Sequence, residues 1–224
     1  DSHHHSTEGA IHDRIYYLHV PRTGGTSFFT DMQRTTWGQH LTSKEGCYTW
    51  KEQLPGVNRV ATMVRSPRAH VFSQFLYCSE GSIAWMTKVR SFGSWVRDWK
   101  DYHAKGTIVG DFSGGSREDQ KYQRYVTFTA LPFKCYNPAD LQCQHFTCEL
   151  PFKYPAEVEV EAAVQNMRSM WFVGVSEAYQ ESLCLFHAKA EDTLPAFCDC
   201  KDSEAWGSFN QTHSTRHAAH RQNG

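Results

Sequence analysis

The chain has 224 residues, 40% of them hydrophobic and 14% aromatic, with 23 Lys and Arg against 24 Asp and Glu. That length suits one α/β domain, and the composition supports a sizeable core, which excludes wholesale disorder. Balanced charge argues against a nucleic-acid binder, and no run of about 18 apolar residues is present that could span a membrane. Eight cysteines, none in a C-x-x-C pair, point to disulfides in an oxidising compartment, with a pairing that the spacing leaves open.

The opening DSHHHSTEG reads as tag-like or flexible, so residues 1–12 stand outside the fold argument. IYYLHV (15–20) is a short apolar run that predicts a buried strand, and TSFFTDMQRTTW (26–37) predicts a helix capped by Thr26 or Ser27. RVATMV (59–64) is a second strand. RSPRAHVFSQFLYC follows it, with Ser66 as N-cap and Pro67 as first helical residue. Two strand–loop–helix units within 80 residues imply a parallel sheet covered by helices on both faces, of four or five strands.

Trp85, Val89, Phe92, Val96 and Trp99 recur at helical spacing and read as a core stripe. Residues 106–120 read as a loop. Residues 131–155, with four prolines and three cysteines, read as an irregular excursion. A helix follows over 156–170, then the strand WFVGV (171–175), then a helix over 176–190 capped by Ser176. The tail from about Phe197 has no clear period. The whole is expected to be one domain, with about 81–155 inserted to shape the acceptor side.

The chemistry concentrates in two loops. In VPRTGGTSF the strand breaks into Pro-Arg-Thr-Gly-Gly-Thr-Ser and a helix begins. A strand-to-helix loop aims backbone N–H groups at one spot, and the helix N-terminus adds partial positive charge there. Gly24 and Gly25 allow close approach, Thr23, Thr26 and Ser27 add hydroxyls, and Arg22 adds a full charge. This is not the G-x-x-x-x-G-K-[ST] loop of ATP and GTP enzymes, because the basic residue precedes the glycines. VRSPRAHVFS repeats the arrangement: Arg65 at a strand end offers a bidentate fork, and Ser73, two turns on, offers a hydroxyl. Two anion sites on one sheet edge suit a ligand with phosphates at both ends.

HVPRTGGTSF resembles the 5′-phosphosulfate loop of the sulfotransferases that use 3′-phosphoadenosine 5′-phosphosulfate (PAPS), whose Golgi carbohydrate branch commonly reads H-[IV]-P-K-T-G-G-T-[ST]. VRSPRAHVFSQF is similar to the 3′-phosphate motif of the same family, R-[DSN]-P-x-x-R-x-x-S, and the heparan sulfate 2-O- and 6-O-sulfotransferases and related algal or protist proteins are the nearest in kind. Weaker echoes run through YQRYVT (122–127) and FVGVSEAYQESLCLFH (172–187). Two departures stand out: Arg22 replaces the usual Lys, and Ala69-His70 stands where an Arg often lies, with Arg68 adjacent.

The resemblance implies a P-loop-like three-layer fold and sulfuryl transfer from PAPS to a hydroxyl, most readily that of a glycan, releasing 3′-phosphoadenosine 5′-phosphate (PAP) without a metal. A tyrosine or small-molecule acceptor, or a non-catalytic binding module on the same fold, is the alternative. Arg22 would serve the bridging oxygen, Thr23, Gly24, Gly25, Thr26 and Ser27 would wrap the 5′-phosphate, and Arg65 and Ser73 would hold the 3′-phosphate. The base is sought between the two loops. His40 is the first choice for its ordinary pKa near neutrality, with Glu52 and Glu45 as rivals, while His19 reads as a packed residue. In the tail, Ser214 and Arg216 are expected to close over the nucleotide and Arg124 to line the same cleft. His213, His217 and His220 have helical spacing but weak standing as metal ligands. The resemblance also implies a luminal location in the Golgi or secretory pathway for a portion of a chain anchored elsewhere.

Overall fold

The computed structural model describes residues 14–80, 91–104, 138–147, 159–191 and 193–209. Four strands form one sheet in the order β2-β1-β3-β4: β1 Arg14–Leu18, β2 Leu41–Lys44, β3 Val57–Val64 and β4 Phe172–Val175. Every pairing is parallel, with Ile15 opposite Leu41, Leu18 opposite Lys44 and Thr62, and Val64 opposite Val175. Parallel strands need long crossovers, and here helices provide them. The helices are α1 Gly25–Met32, α2 Pro67–Glu80, α3 Phe92–Ala104, α4 Leu141–Thr147 and α5 Val160–Arg168 between the strands, with α6 Tyr179–Ala190 and α7 Ser203–Gly207 after the last strand.

β1 is buried from Ile15 to Leu18 without a polar interruption, because both of its faces are covered. Ile15, Tyr17, Ala61, Met63 and Phe172 meet Phe28 and Met32 of α1 and Tyr179, Leu183 and Phe186 of α6. Tyr16, Leu18 and Val60 face the other way, onto Tyr48, Phe146 of α4, Ala163 of α5 and Met170. The side-chain period of two along each strand thus sorts one sequence into two cores. Helices lie on both faces of a central parallel sheet, as the strand–loop–helix units imply.

Several boundaries differ from expectation. β2 escapes a reading by apolar runs because Leu-Thr-Ser-Lys is short, mostly polar and only half-buried, as befits an edge strand with one neighbour. α1 stops at Met32 rather than running to Trp37, and Thr26 and Ser27 lie inside it. Its N-cap is Gly24, in the left-handed conformation at φ 82°. Ser176 does not cap α6, which starts at Tyr179. Its hydroxyl instead donates to the carbonyls of Thr23 and Val64, tying the ends of three chain segments. On α3 the buried rings are Trp95 and Trp99, while Phe92 and Val96 are more than a third exposed, so the stripe is narrower than its spacing suggested. Trp85 and Val89 lie outside the described residues. The excursion at 131–155 contains α4, which is core. The tail contains α7, capped by the Asp202 carboxylate accepting from Glu204 and Ala205 N–H at 3.0 Å each.

Cys184 and Cys198 form a disulfide that ties α6 to the segment before α7. Cys47 and Cys78 are also disulfide-bonded, whereas Cys143 and Cys200 are free thiols, so Cys198 and Cys200 do not pair with each other. No helix among the described residues is long and apolar enough to cross a membrane.

Candidate anion-binding and active site

Both loops emerge at the carboxyl ends of adjacent central strands, where open parallel sheets bind ligands. The first runs from His19 to Gly24. Arg22 sits at φ 66°, an unusual conformation for a residue with a Cβ and one that clusters at functional sites. The loop is pinned at each step. The Thr23 hydroxyl donates to Val20 O at 2.9 Å. His70 Nε2–H, from α2, donates to Pro21 O at 2.8 Å. Arg65 Nη1–H donates to Arg22 O at 3.2 Å. The first intrahelical bond of α1 is Phe28 N–H to Gly24 O, at 3.1 Å, so the amides before it have no partner within the helix and are oriented for an anion.

Gly25 has a packing reason to be glycine. A Cβ there would lie 2.3 Å from His19 Cδ2, 2.7 Å from His19 Nε2 and 3.0 Å from the Tyr17 hydroxyl. The imidazole therefore lies flush against the loop backbone. The Tyr17 hydroxyl beneath is buried and has no hydrogen-bond partner, and neither has the buried Nε of Arg22.

The two loops meet. Arg22 Nη2 lies 3.4 Å from the Ser73 hydroxyl, and its guanidinium sits 4.8 Å over the Tyr77 ring. One face of α2 therefore carries His70, Ser73, Gln74 and Tyr77 toward the loop, the spacing of a single helix stripe. His70 Nδ1 accepts from Gln74 Nε2 at 3.3 Å while its Nε2 carries the proton to Pro21, so the ring is neutral. Burial, with Arg65 and Arg22 nearby, drives its pKa down to about 4. His70 occupies the neighbourhood of the missing motif arginine, and it serves as a loop strut rather than a phosphate ligand. Arg68 is exposed on the first turn of α2.

Register separates the candidate bases in space. Leu41 pairs with Ile15, so His40 lies level with the start of β1 and Glu45 lies level with His19 at its end. His40 is thus roughly 16 Å from the loop along the strand at about 3.3 Å per residue. There its ring meets Trp37 with ring centres 5.9 Å apart. Glu52 is exposed in a short 3₁₀ segment, Tyr48–Gln53, that returns the chain to the start of β3. The structure brings neither His40 nor Glu52 to the loops.

Glu45 does lie there. Its Oε1 is 3.7 Å from His19 Nδ1, and burial raises its pKa against the lowering influence of Arg22. Burial and Arg22 drive His19 down to about 4, so the imidazole beside Glu45 is neutral. Beneath both, His145 of α4 donates from Nδ1 to Gly46 O, and burial lowers it to about 4 as well. Ser214, Arg216, Arg124 and the tail histidines lie outside the described residues. Among the described residues no cluster of His, Cys, Asp or Glu could hold a metal ion.

Fold and site define a parallel α/β protein with two converging strand-to-helix loops at the carboxyl edge of its sheet. Compared with protein-family models, with curated proteins and with solved structures, the chain matches none of them.

Proposed function

We propose that the protein is a PAPS-dependent sulfotransferase of P-loop-like fold, acting on a hydroxyl acceptor of the glycan class. The observation that carries this reading is the meeting of the two loops. Arg65 bonds the carbonyl of Arg22, and Arg22 reaches Ser73, so one charged bridge joins an amide cradle to a guanidinium–hydroxyl site. A nucleotide with two separate phosphates carries the paired negative charge that such a site would take. The Cys184–Cys198 disulfide supports folding in an oxidising compartment, in keeping with a Golgi or secretory location.

In the reaction the acceptor oxygen attacks sulfur in line, forming an O–S bond as the bond from sulfur to the bridging oxygen breaks. PAP leaves with the electron pair. The cradle amides and Arg22 stabilise charge growing on the bridging and sulfuryl oxygens. The acceptor proton goes to a base, and Glu45 is a carboxylate at the loop end of the sheet, beside the first loop. Its raised pKa brings it nearer to neutrality, which suits that task.

Calorimetric titration with PAP, with AMP and ATP as controls, tests the reading. PAP binding that exceeds both controls and is lost in Arg22→Ala and Arg65→Ala is expected. Absence of PAP binding, or equal binding of ATP, would sink it.

A further inference from the structure

We infer that Gln142 is a positioning residue for the second anion site, acting through the backbone of Arg65; this rests on the donor-binding role given to Arg65 above. Arg65 is the first residue beyond β3, where the ladder to β4 has ended at Val64 and Val175. Its N–H and C=O would lack sheet partners there, and a side chain supplies both. Gln142 Oε1 accepts from Arg65 N–H at 2.9 Å, and Gln142 Nε2–H donates to Arg65 O at 2.9 Å. A primary amide is the side-chain group that matches both a peptide donor and a peptide acceptor at once, so Gln142 stands in for a neighbouring strand.

The next residue is held from the opposite side. Ser66 N–H donates to Glu177 Oε1 at 3.0 Å, from just past β4. Two consequences follow. The backbone donors of Arg65 and Ser66 are already used, so an anion at this second site is read by the Arg65 guanidinium and the Ser73 hydroxyl. The first site, by contrast, is an amide cradle. The aim of that guanidinium, which reaches Arg22 O at 3.2 Å, is set by a peptide that Gln142 clamps. Gln142 is neutral, so replacing it alters this geometry without removing a charge; Glu177 lacks that advantage. α4 begins at Leu141, so its first turn, within the stretch expected to shape the acceptor side, serves the donor side.

The test compares PAP and AMP affinity by calorimetry in the full chain for wild type, Gln142→Ala, Arg65→Ala and the double variant, each checked for folding by thermal melt. Charge-assisted contacts to a phosphate predict a wild-type preference for PAP over AMP of roughly 10- to 100-fold. Gln142→Ala is expected to cut that preference about 5- to 10-fold with AMP affinity within about twofold of wild type, a selective loss that general destabilisation would not produce. The double variant should discriminate no worse than Arg65→Ala alone. Should the alanine variant fail to fold, Gln142→Met carries the test, because it nearly fills the same volume and adds no charge but offers Arg65 neither an acceptor for its N–H nor a donor for its carbonyl. An unchanged PAP-to-AMP ratio, equal loss of both ligands, or additive losses in the double variant would overturn the inference. A wild type that binds PAP no better than AMP would overturn the donor reading itself, and the role of Gln142 with it.

Discussion

Gly25→Ala tests whether His19 lies flush against the anion loop. An added Cβ would meet His19 Cδ2 at 2.3 Å, closer than such atoms approach, and Tyr17 Oη at 3.0 Å. The ring cannot retreat freely, because it is only 16% exposed and faces Glu45 at 3.7 Å. Overpacking of this kind costs about 1–3 kcal/mol, and Ala in place of Gly in a helix returns up to about 1 kcal/mol. A net loss of about 1–2 kcal/mol lowers Tm by about 2–8 °C in a chain of this size. Anion affinity should fall with it, since the loop must shift. The decisive control is the pair His19→Ala and His19→Ala/Gly25→Ala. With the ring gone, the added methyl group should cost less than about 0.5 kcal/mol, the level expected of an ordinary substitution. Calorimetry and PAP titration read both quantities. If Gly25→Ala costs as much without the imidazole as with it, the close-approach argument is wrong.

Acid should destabilise the fold well above the carboxylate range. His19, His70 and His145 are held near pKa 4 by burial, below the ordinary value of 6.5, so their neutral forms favour the native state above pH 6.5 and that stability is lost as pH falls from 6.5 toward 4. The three rings give a slope of about 4 kcal/mol per pH unit at most, and Glu45, whose pKa is raised, opposes them with one proton where it titrates. Urea denaturation at pH 7, 6 and 5 measures it, and equal midpoints would refute the assignment of neutral buried rings. Glu45→Gln is expected to reduce kcat for transfer from PAPS to desulfated heparan by about 10²- to 10⁴-fold with PAP affinity retained; full activity would return the base to another group. Replacing Cys184 and Cys198 together by Ser opens a link spanning 14 residues, and about 3 kcal/mol of stability should go with it, read from denaturation midpoints.

The two strand-to-helix loops were legible because their physics is local. A strand running into Pro-Arg-Thr-Gly-Gly, and another into Arg-Ser-Pro, carry their own turn and helix-start chemistry, and both stand where that chemistry puts them. Which acidic or basic side chain lies beside the first loop was not legible. His40 and Glu45 are five residues apart on the same short segment, and nothing in either residue's type says which reaches the loop. That depends on β2, an edge strand whose Leu-Thr-Ser-Lys gives almost no apolar signal. Once β2 pairs with β1 in parallel, register carries Glu45 to the loop end and leaves His40 at the other.

His70 and Gln142 were hidden for a related reason. Each is an ordinary polar residue on a helix, and each owes its role to a backbone carbonyl or amide far away in sequence, Pro21 for one and Arg65 for the other. Local sequence by itself determined the parallel α/β class, the helices on both faces and the two strand-to-helix loops, since periodicity and turn chemistry act within a few residues. Only the tertiary structure decided which side chains share the carboxyl edge of the sheet, because strand register and helix docking are settled by contacts between segments that local spacing does not encode.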